Sequence, residues 1–92
     1  MLLVKWQPAA RQDLLDILAF IAEHNEIAAL DMLARIEQSV EQLPHHPFLY
    51  RPSQRLPGCR ELVVHPNYVV YYEVSDLVTI LAVVHARQQF PG

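Results

Sequence analysis

The sequence predicts an α+β fold in which two helices pack on one face of a small, mainly antiparallel sheet. In the first half of the chain, apolar residues recur with helical spacing in two consecutive segments. The last third consists of runs rich in Val, Tyr and Ile that are separated by short turn sequences. One short apolar run precedes the first helix, so the predicted element order is β-α-α-β-β-β.

The first strand is predicted at Leu2–Trp6, an apolar segment that ends just before Pro8. Pro8 suits the first turn of a helix, because the missing N–H has no intrahelical partner there in any case. The residues behind it include an apolar set at positions that share one helix face. This set is Ala10, Leu14, Ile17, Leu18 and Ile21.

A second helix is predicted to begin after Asn25, a favourable N-cap residue, and to run to about Leu43 before Pro44 stops it. Its apolar face consists of Ala29, Met32, Leu33, Ile36, Val40 and Leu43. The short connection predicts an antiparallel helical hairpin. Two helices cannot bury both of their apolar stripes alone, so the sheet is expected to cover them.

Residues 44–58 contain four prolines and Gly58, which predicts an irregular but stiff connector. Three strands are then predicted at Glu61–His65, Tyr68–Val74 and Leu77–Val84, joined by tight turns in an antiparallel meander. The first strand is expected to join this sheet, with its neighbour left open.

Side-chain alternation along the predicted strands gives both faces of the sheet an apolar character. In the middle strand, Tyr68 and Tyr72 share one face and Tyr71 lies on the other. The helices cannot cover every apolar residue of the strands. An exposed apolar sheet face is typical of a binding site for a partner helix or an added strand. The residues in question are Val63, Val69, Val78 and Ile80.

The composition of the 92-residue chain indicates one domain spanning residues 1–92. Its single cysteine excludes a disulfide framework and a cysteine-based zinc site, and suits a reducing cytoplasm. No apolar run approaches the roughly 20 residues of a membrane span. We therefore expect a cytoplasmic protein with no membrane partner, no cofactor and no metal.

The formal net charge of −3 divides unevenly along the chain. Residues 1–50 carry three cations and seven acids, a net of −4, whereas residues 51–92 carry four arginines and three acids, a net of +1. This distribution argues against binding bare nucleic acid over a wide area, which depends on many Lys and Arg contacts to phosphate. The functional surface is therefore to be sought around the late arginines.

One histidine stands near these arginines. His85 ends the last predicted strand, Arg87 follows two residues later, and Arg60 begins the second strand and could approach both across the sheet. A histidine that donates a proton, with arginines for a phosphate, is the minimum for phosphodiester cleavage, and Glu61 is a candidate base. The alternative is structural: Arg60 and Glu61 are solvated edge charges and His85 caps a strand.

Three segments together resemble the RelE/ParE superfamily of type II toxin–antitoxin toxins, and the resemblance covers essentially the whole chain. The first is Trp6-Gln7-Pro8-Ala9-Ala10 with Asp13, Leu14 and Ile17 behind it. The second runs from Leu56 to Tyr68 and contains Pro57-Gly58-Cys59-Arg60-Glu61. The third is Val83-Val84-His85-Ala86-Arg87-Gln88-Gln89-Phe90-Pro91.

The resemblance implies a bacterial toxin neutralised by a cognate protein antitoxin, with operator DNA bound only through that antitoxin. The low lysine content and negative charge place the chain closer to the ParE members, which poison DNA gyrase and arrest growth without being enzymes. On this interpretation the partner contacts are Arg60, His85, Arg87 and Phe90.

Two alternatives follow from the same resemblance. In a RelE-like endoribonuclease that cuts mRNA on the ribosome, His85 would be the general acid, Arg60 and Arg87 would hold phosphate, and Glu61 would be the base. In the other, toxicity is lost and the fold is kept for antitoxin binding.

Overall fold

The computed structural model describes residues 1–87 and confirms the predicted α+β fold and element order. The strands and helices are β1 (Val4–Trp6), α1 (Pro8–Ala22), α2 (Glu26–Glu41), β2 (Arg60–His65), β3 (Tyr68–Val74) and β4 (Val78–His85). Most bounds lie within one or two residues of the predicted ones. α2 ends at Glu41, although Leu43 beyond it is fully buried as its place in the apolar pattern predicts.

The four strands lie in the order β1-β4-β3-β2. β2, β3 and β4 form the predicted antiparallel meander, whereas β1 pairs with β4 in parallel, from Val4 opposite Val78 to Trp6 opposite Ile80. Two parallel neighbouring strands cannot be joined by a tight turn and require a long connection. The helical hairpin is the first part of the connection from β1 to β4. The sheet neighbour that the sequence left open is therefore β4.

The helix termini follow from local sequence. Pro8 occupies the first turn of α1, where no hydrogen bond is lost. Asn25 caps α2, since its Oδ1 accepts the N–H of Ala28 at 3.0 Å. None of the helices within residues 1–87 is both long enough and apolar enough to cross a membrane.

The main core lies between the helical hairpin and one face of the sheet. β3 contributes Tyr68, Val70 and Tyr72 to this core. A smaller apolar cluster on the opposite face contains Tyr71, Ala82 and Val84, with Leu56 and Val69 packed against it. The predicted alternation of the three tyrosines is confirmed, and the face away from the helices, called here the open face, is only partly covered.

A β-bulge in β4 was not predicted. Tyr71 pairs with Ala82 and Tyr72 pairs with Ile80, so Leu81 is an extra residue in β4. Because of this residue, Ile80 and Val83 both contribute to the main core, although they are three positions apart. A regular strand would have turned one of the two to the open face.

Asp13 on α1 completes the hydrogen bonding of β4 beyond the end of β1. β1 stops opposite Ile80, so the later part of β4 has no neighbouring strand on that side among residues 1–87. Oδ2 of Asp13 accepts the N–H of Val83 at 3.1 Å. A carboxylate thus takes the position of a strand carbonyl, which ties α1 to the sheet.

We predict that Asp13→Ala lowers the free energy of unfolding by about 1–3 kcal/mol, because the Val83 N–H loses its acceptor. Asp13→Asn keeps an acceptor oxygen and is expected to lose much less. Urea denaturation followed by circular dichroism measures both variants. Equal losses in the two variants would show that this hydrogen bond is not what Asp13 contributes.

Candidate functional site

The open face carries a shallow pocket of about 350 Å³ at the β2 side of the sheet. Its floor consists of Val63, Val69 and Tyr71, which alternate onto this face from β2 and β3. Charged side chains form its rim: Arg51 and Arg55 from the connector and Glu61 from β2. The pocket therefore combines an apolar floor with a charged edge.

The connector is held to β2 by backbone pairing, which fixes the arginines at the rim. The N–H of Ser53 donates to the Cys59 carbonyl at 2.8 Å, and the N–H of Glu61 donates to the Arg51 carbonyl at 3.0 Å. Gly58, at φ +88°, supplies the left-handed conformation that reverses the chain between these segments. Ser53, which is buried, also accepts the N–H groups of Arg55 and Leu56 through its Oγ, both at 3.2 Å.

Arg51 and Glu61 form an ion pair across this short segment. Nε of Arg51 lies 2.8 Å from Oε1 of Glu61, and the side chains are 77% and 13% exposed, respectively. Such a pair contributes little to stability because the arginine is solvated. The pair does orient the Glu61 carboxylate towards Arg51.

Arg60 points to the other face of the sheet and holds the connector. It pairs with Tyr72, and its Nη1 donates to the Tyr50 carbonyl at 2.6 Å while its guanidinium lies 4.9 Å from the centre of the Phe48 ring. The hydroxyl of Tyr72 donates to the Pro47 carbonyl at 2.9 Å. Two neighbouring side chains thus fasten the same loop to the sheet.

His85 lies at the opposite end of the sheet from Arg60. Its ring meets Tyr68 edge-on, with centroids 5.2 Å apart, and its Nδ1 accepts the backbone N–H of Arg87 at 3.1 Å. This hydrogen bond closes the turn after β4. A second pocket, of about 400 Å³, lies beside His85 between α1 and β4 and includes Asp13 and Phe20 in its lining.

The expectation that Arg60 approaches His85 across the sheet is wrong. Arg60 pairs with Tyr72 and His85 pairs with Tyr68, four residues apart on β3, which is about 13 Å of strand. Arg87 is exposed and follows His85 in a turn, and its backbone N–H donates to the histidine. Phe90, the fourth predicted contact, lies outside the described residues.

Neither the cysteine thiol nor the possible metal ligands among the described residues form a reactive site. Burial, assisted by the nearby negative charge of Glu73, raises the pKa of the Cys59 thiol and keeps it protonated. Within residues 1–87, no group of three or more His, Cys, Asp and Glu side chains is arranged to hold a metal ion. The pocket on the open face, which combines charged side chains with an apolar floor, is therefore taken as the candidate functional site.

Sequence reasoning missed Arg51, Arg55 and Tyr71 as parts of one site. The only available signal was that every cation after residue 50 is an arginine. The connector has no periodic pattern, so its position over β2 could not be derived from residue spacing.

A family model described as the ParE toxin of the type II toxin–antitoxin system parDE matches residues 4–90. Y4kP of Sinorhizobium fredii, which carries the name of a toxin, is 37% identical over 89 residues, covering 96% of this chain and 92% of the relative. Toxin RelE2 of Caulobacter vibrioides is 36% identical over 86 residues, covering 92% of this chain and 96% of the relative.

Solved structures share the fold at lower sequence identity. The chromosomal ParDE system from P. aeruginosa contains a chain with a TM-score of 0.76 and 24% identity, covering 92% of this chain and 96% of that one. HP0894 from Helicobacter pylori gives a TM-score of 0.61 at 16% identity, covering 98% and 100%. These likenesses support the two-helix, four-strand architecture.

Burial raises the pKa of the Tyr72 hydroxyl above its ordinary value of 10.0. Below about pH 10 the hydroxyl is neutral in the folded and unfolded states alike. Above it the unfolded chain ionises first, so we predict that the free energy of unfolding falls with pH in this range.

Tyr72→Phe is expected to flatten this alkaline fall, because the ionising group is gone. At neutral pH the variant should be less stable by about 1 kcal/mol, since the hydrogen bond to the Pro47 carbonyl is lost. Urea denaturation between pH 7 and pH 11 measures both effects. Parallel pH curves for the two proteins would contradict the prediction.

Proposed function

Because the chain belongs to the ParE toxin family of type II toxin–antitoxin systems, we propose that it poisons DNA gyrase and thereby arrests growth. The observation that carries the proposal is the match to the ParE family over residues 4–90. Membership of this family implies a cognate protein antitoxin. Operator DNA would be bound through that antitoxin, consistent with the negative net charge of this chain.

The arrangement of the candidate catalytic residues favours binding over cleavage. Arg60 and His85 lie at opposite ends of the sheet, and Glu61 is paired with Arg51. Nucleolytic catalysis needs the acid, the base and the phosphate ligands around one reacting atom. A toxin that acts by contact with a protein target needs no such convergence.

The gyrase contacts are proposed at the end of the sheet that carries His85 and Arg87. Phe90, which lies outside the described residues, is the remaining proposed contact. Arg87 is an exposed cation, and His85 shapes the turn that presents it. Arg60 contributes indirectly, because its contacts with Tyr50 and Phe48 hold the connector.

The purified chain is expected to inhibit supercoiling by gyrase or to trap cleaved DNA. Arg87→Ala should raise the amount of protein needed for half-inhibition by about tenfold, as loss of a charged contact typically does. Arg35→Ala, which removes another exposed arginine, on α2, is the matched control. Inactivity of the unaltered chain at large molar excess over gyrase would overturn the proposal.

A second candidate function is a ribosome-dependent mRNA endoribonuclease. The observation that favours it is the relative named Toxin RelE2 at 36% identity. In this case His85 would act as general acid and Arg87 would hold the phosphate, because Arg60 lies at the other end of the sheet. Primer extension on translated mRNA should then show codon-linked cuts that His85→Ala abolishes, and intact message during growth arrest would exclude it.

The two assays also define a third outcome. A chain that leaves growth unchanged when expressed without an antitoxin, yet binds the protein encoded beside it, would be a toxin fold that has lost toxicity.

A further inference from the structure

The pocket of about 400 Å³ between α1 and β4 combines two carboxylates with aromatic rings. Asp13, Asp16 and Phe20 are spaced by three and four positions along α1, so their side chains share one helix face. Tyr68 from β3 and His85 from β4 contribute two more rings to the lining. This pocket, called here the acidic pocket, has no part in the core or in the open face.

The two carboxylates of the acidic pocket are not neutralised by the chain itself. The lining of the pocket contains no Lys or Arg, and neither acid forms an ion pair within residues 1–87. Each uses one oxygen to accept from a neutral donor: Asp16 from the Gln12 side chain at 2.8 Å and Asp13 from the Val83 N–H at 3.1 Å. Like charges one turn apart on a helix repel each other, so a bound cation would relieve this repulsion.

The hydroxyl of Tyr68 is an independent sign of a ligand. Tyr68 is only 7% exposed, and the described part of the chain gives its hydroxyl no hydrogen-bond partner. In that same part of the chain no fully buried side-chain oxygen lacks a partner, so the hydroxyl must reach solvent. The surface that Tyr68 keeps lines the acidic pocket and a neighbouring pocket beside α2. An almost buried phenol oxygen without a partner is available to accept from a bound group.

These groups match the chemistry of a guanidinium. Its planar fork of N–H donors fits carboxylates and a phenol oxygen, and its faces stack on aromatic rings. Phe20, which is 59% exposed, offers such a ring at the edge of the pocket. A phosphate chain would be repelled by both carboxylates, so a protein side chain suits this pocket better than RNA does.

We propose that the acidic pocket receives an arginine side chain of gyrase. The guanidinium pairs with Asp16 and Asp13, donates to the Tyr68 hydroxyl and stacks on Phe20. The pocket includes His85, so it is continuous with the gyrase contact region at the end of β4. This inference rests on the proposed function, because it assigns to the same target a contact and a chemistry.

The first test removes only the hydroxyl of Tyr68. Tyr68→Phe should leave the urea midpoint of unfolding unchanged, because the hydroxyl has no partner within the chain. The affinity for purified gyrase should fall by about three- to tenfold, since the guanidinium loses an acceptor. Unchanged affinity, or a loss that is matched by a lower urea midpoint, would overturn the inference but not the proposed function.

The second test changes the charge of the pocket at Asp16, which is exposed and makes no contact with the sheet backbone. Asp16→Asn should weaken gyrase binding by about tenfold, and the difference should shrink at high salt. Asp16→Glu keeps the carboxylate and should retain most of the affinity. Glu37→Gln, which removes an exposed acid of α2 outside the pocket lining, is the matched control. Equal affinities for Asp16→Asn and Glu37→Gln would overturn the ion pair and the inference with it.

Two further outcomes are decisive. If the unaltered chain neither binds nor inhibits gyrase at large molar excess, the proposed function fails and the inference fails with it. If Asp16→Asn and Tyr68→Phe bind gyrase as the unaltered chain does but lose affinity for the protein encoded beside the toxin, the acidic pocket belongs to the antitoxin interface and the inference is overturned.

Discussion

The parallel pairing of β1 with β4 is the constraint on which the other parts of the fold depend. Strands that run in the same direction cannot be joined by a tight turn, so the chain must cross over a sheet face between them. The helical hairpin lies on that face and buries both apolar stripes against it. The opposite face carries the connector and the open-face pocket, so the main core and the candidate site lie on different faces of the sheet.

Two local features adapt β4 to its neighbours. They are the bulge at Leu81 and the side chain of Asp13. The bulge keeps Ile80 and Val83 in the same core. β1 is too short to reach Val83, and Asp13 supplies the missing acceptor from α1. Both features occur where β4 leaves a regular ladder, and the Asp13 hydrogen bond connects α1 to the sheet.

The connector, an irregular and proline-rich segment, forms part of the rim of the open-face pocket. Arg60 and Tyr72 fasten its first half on the helix side, while backbone pairing fastens residues 51–53 along β2. Arg51 and Arg55 therefore lie over the open face. The chain, which belongs to the ParE toxin family, thus carries the open-face pocket beside β2 and a separate candidate contact region at the end of β4.

The sequence alone determined the α+β class, the order of the elements, the cap at Asn25 and the distribution of the three tyrosines over two faces. These features depend on residue periodicity and local backbone preference, which neighbouring residues decide. Only the tertiary structure decided that β1 pairs with β4, that Arg60 lies far from His85, and that Arg51 and Arg55 meet Glu61. Those placements depend on strand register and on the path of a connector without a repeating pattern, and both are set by long-range contacts.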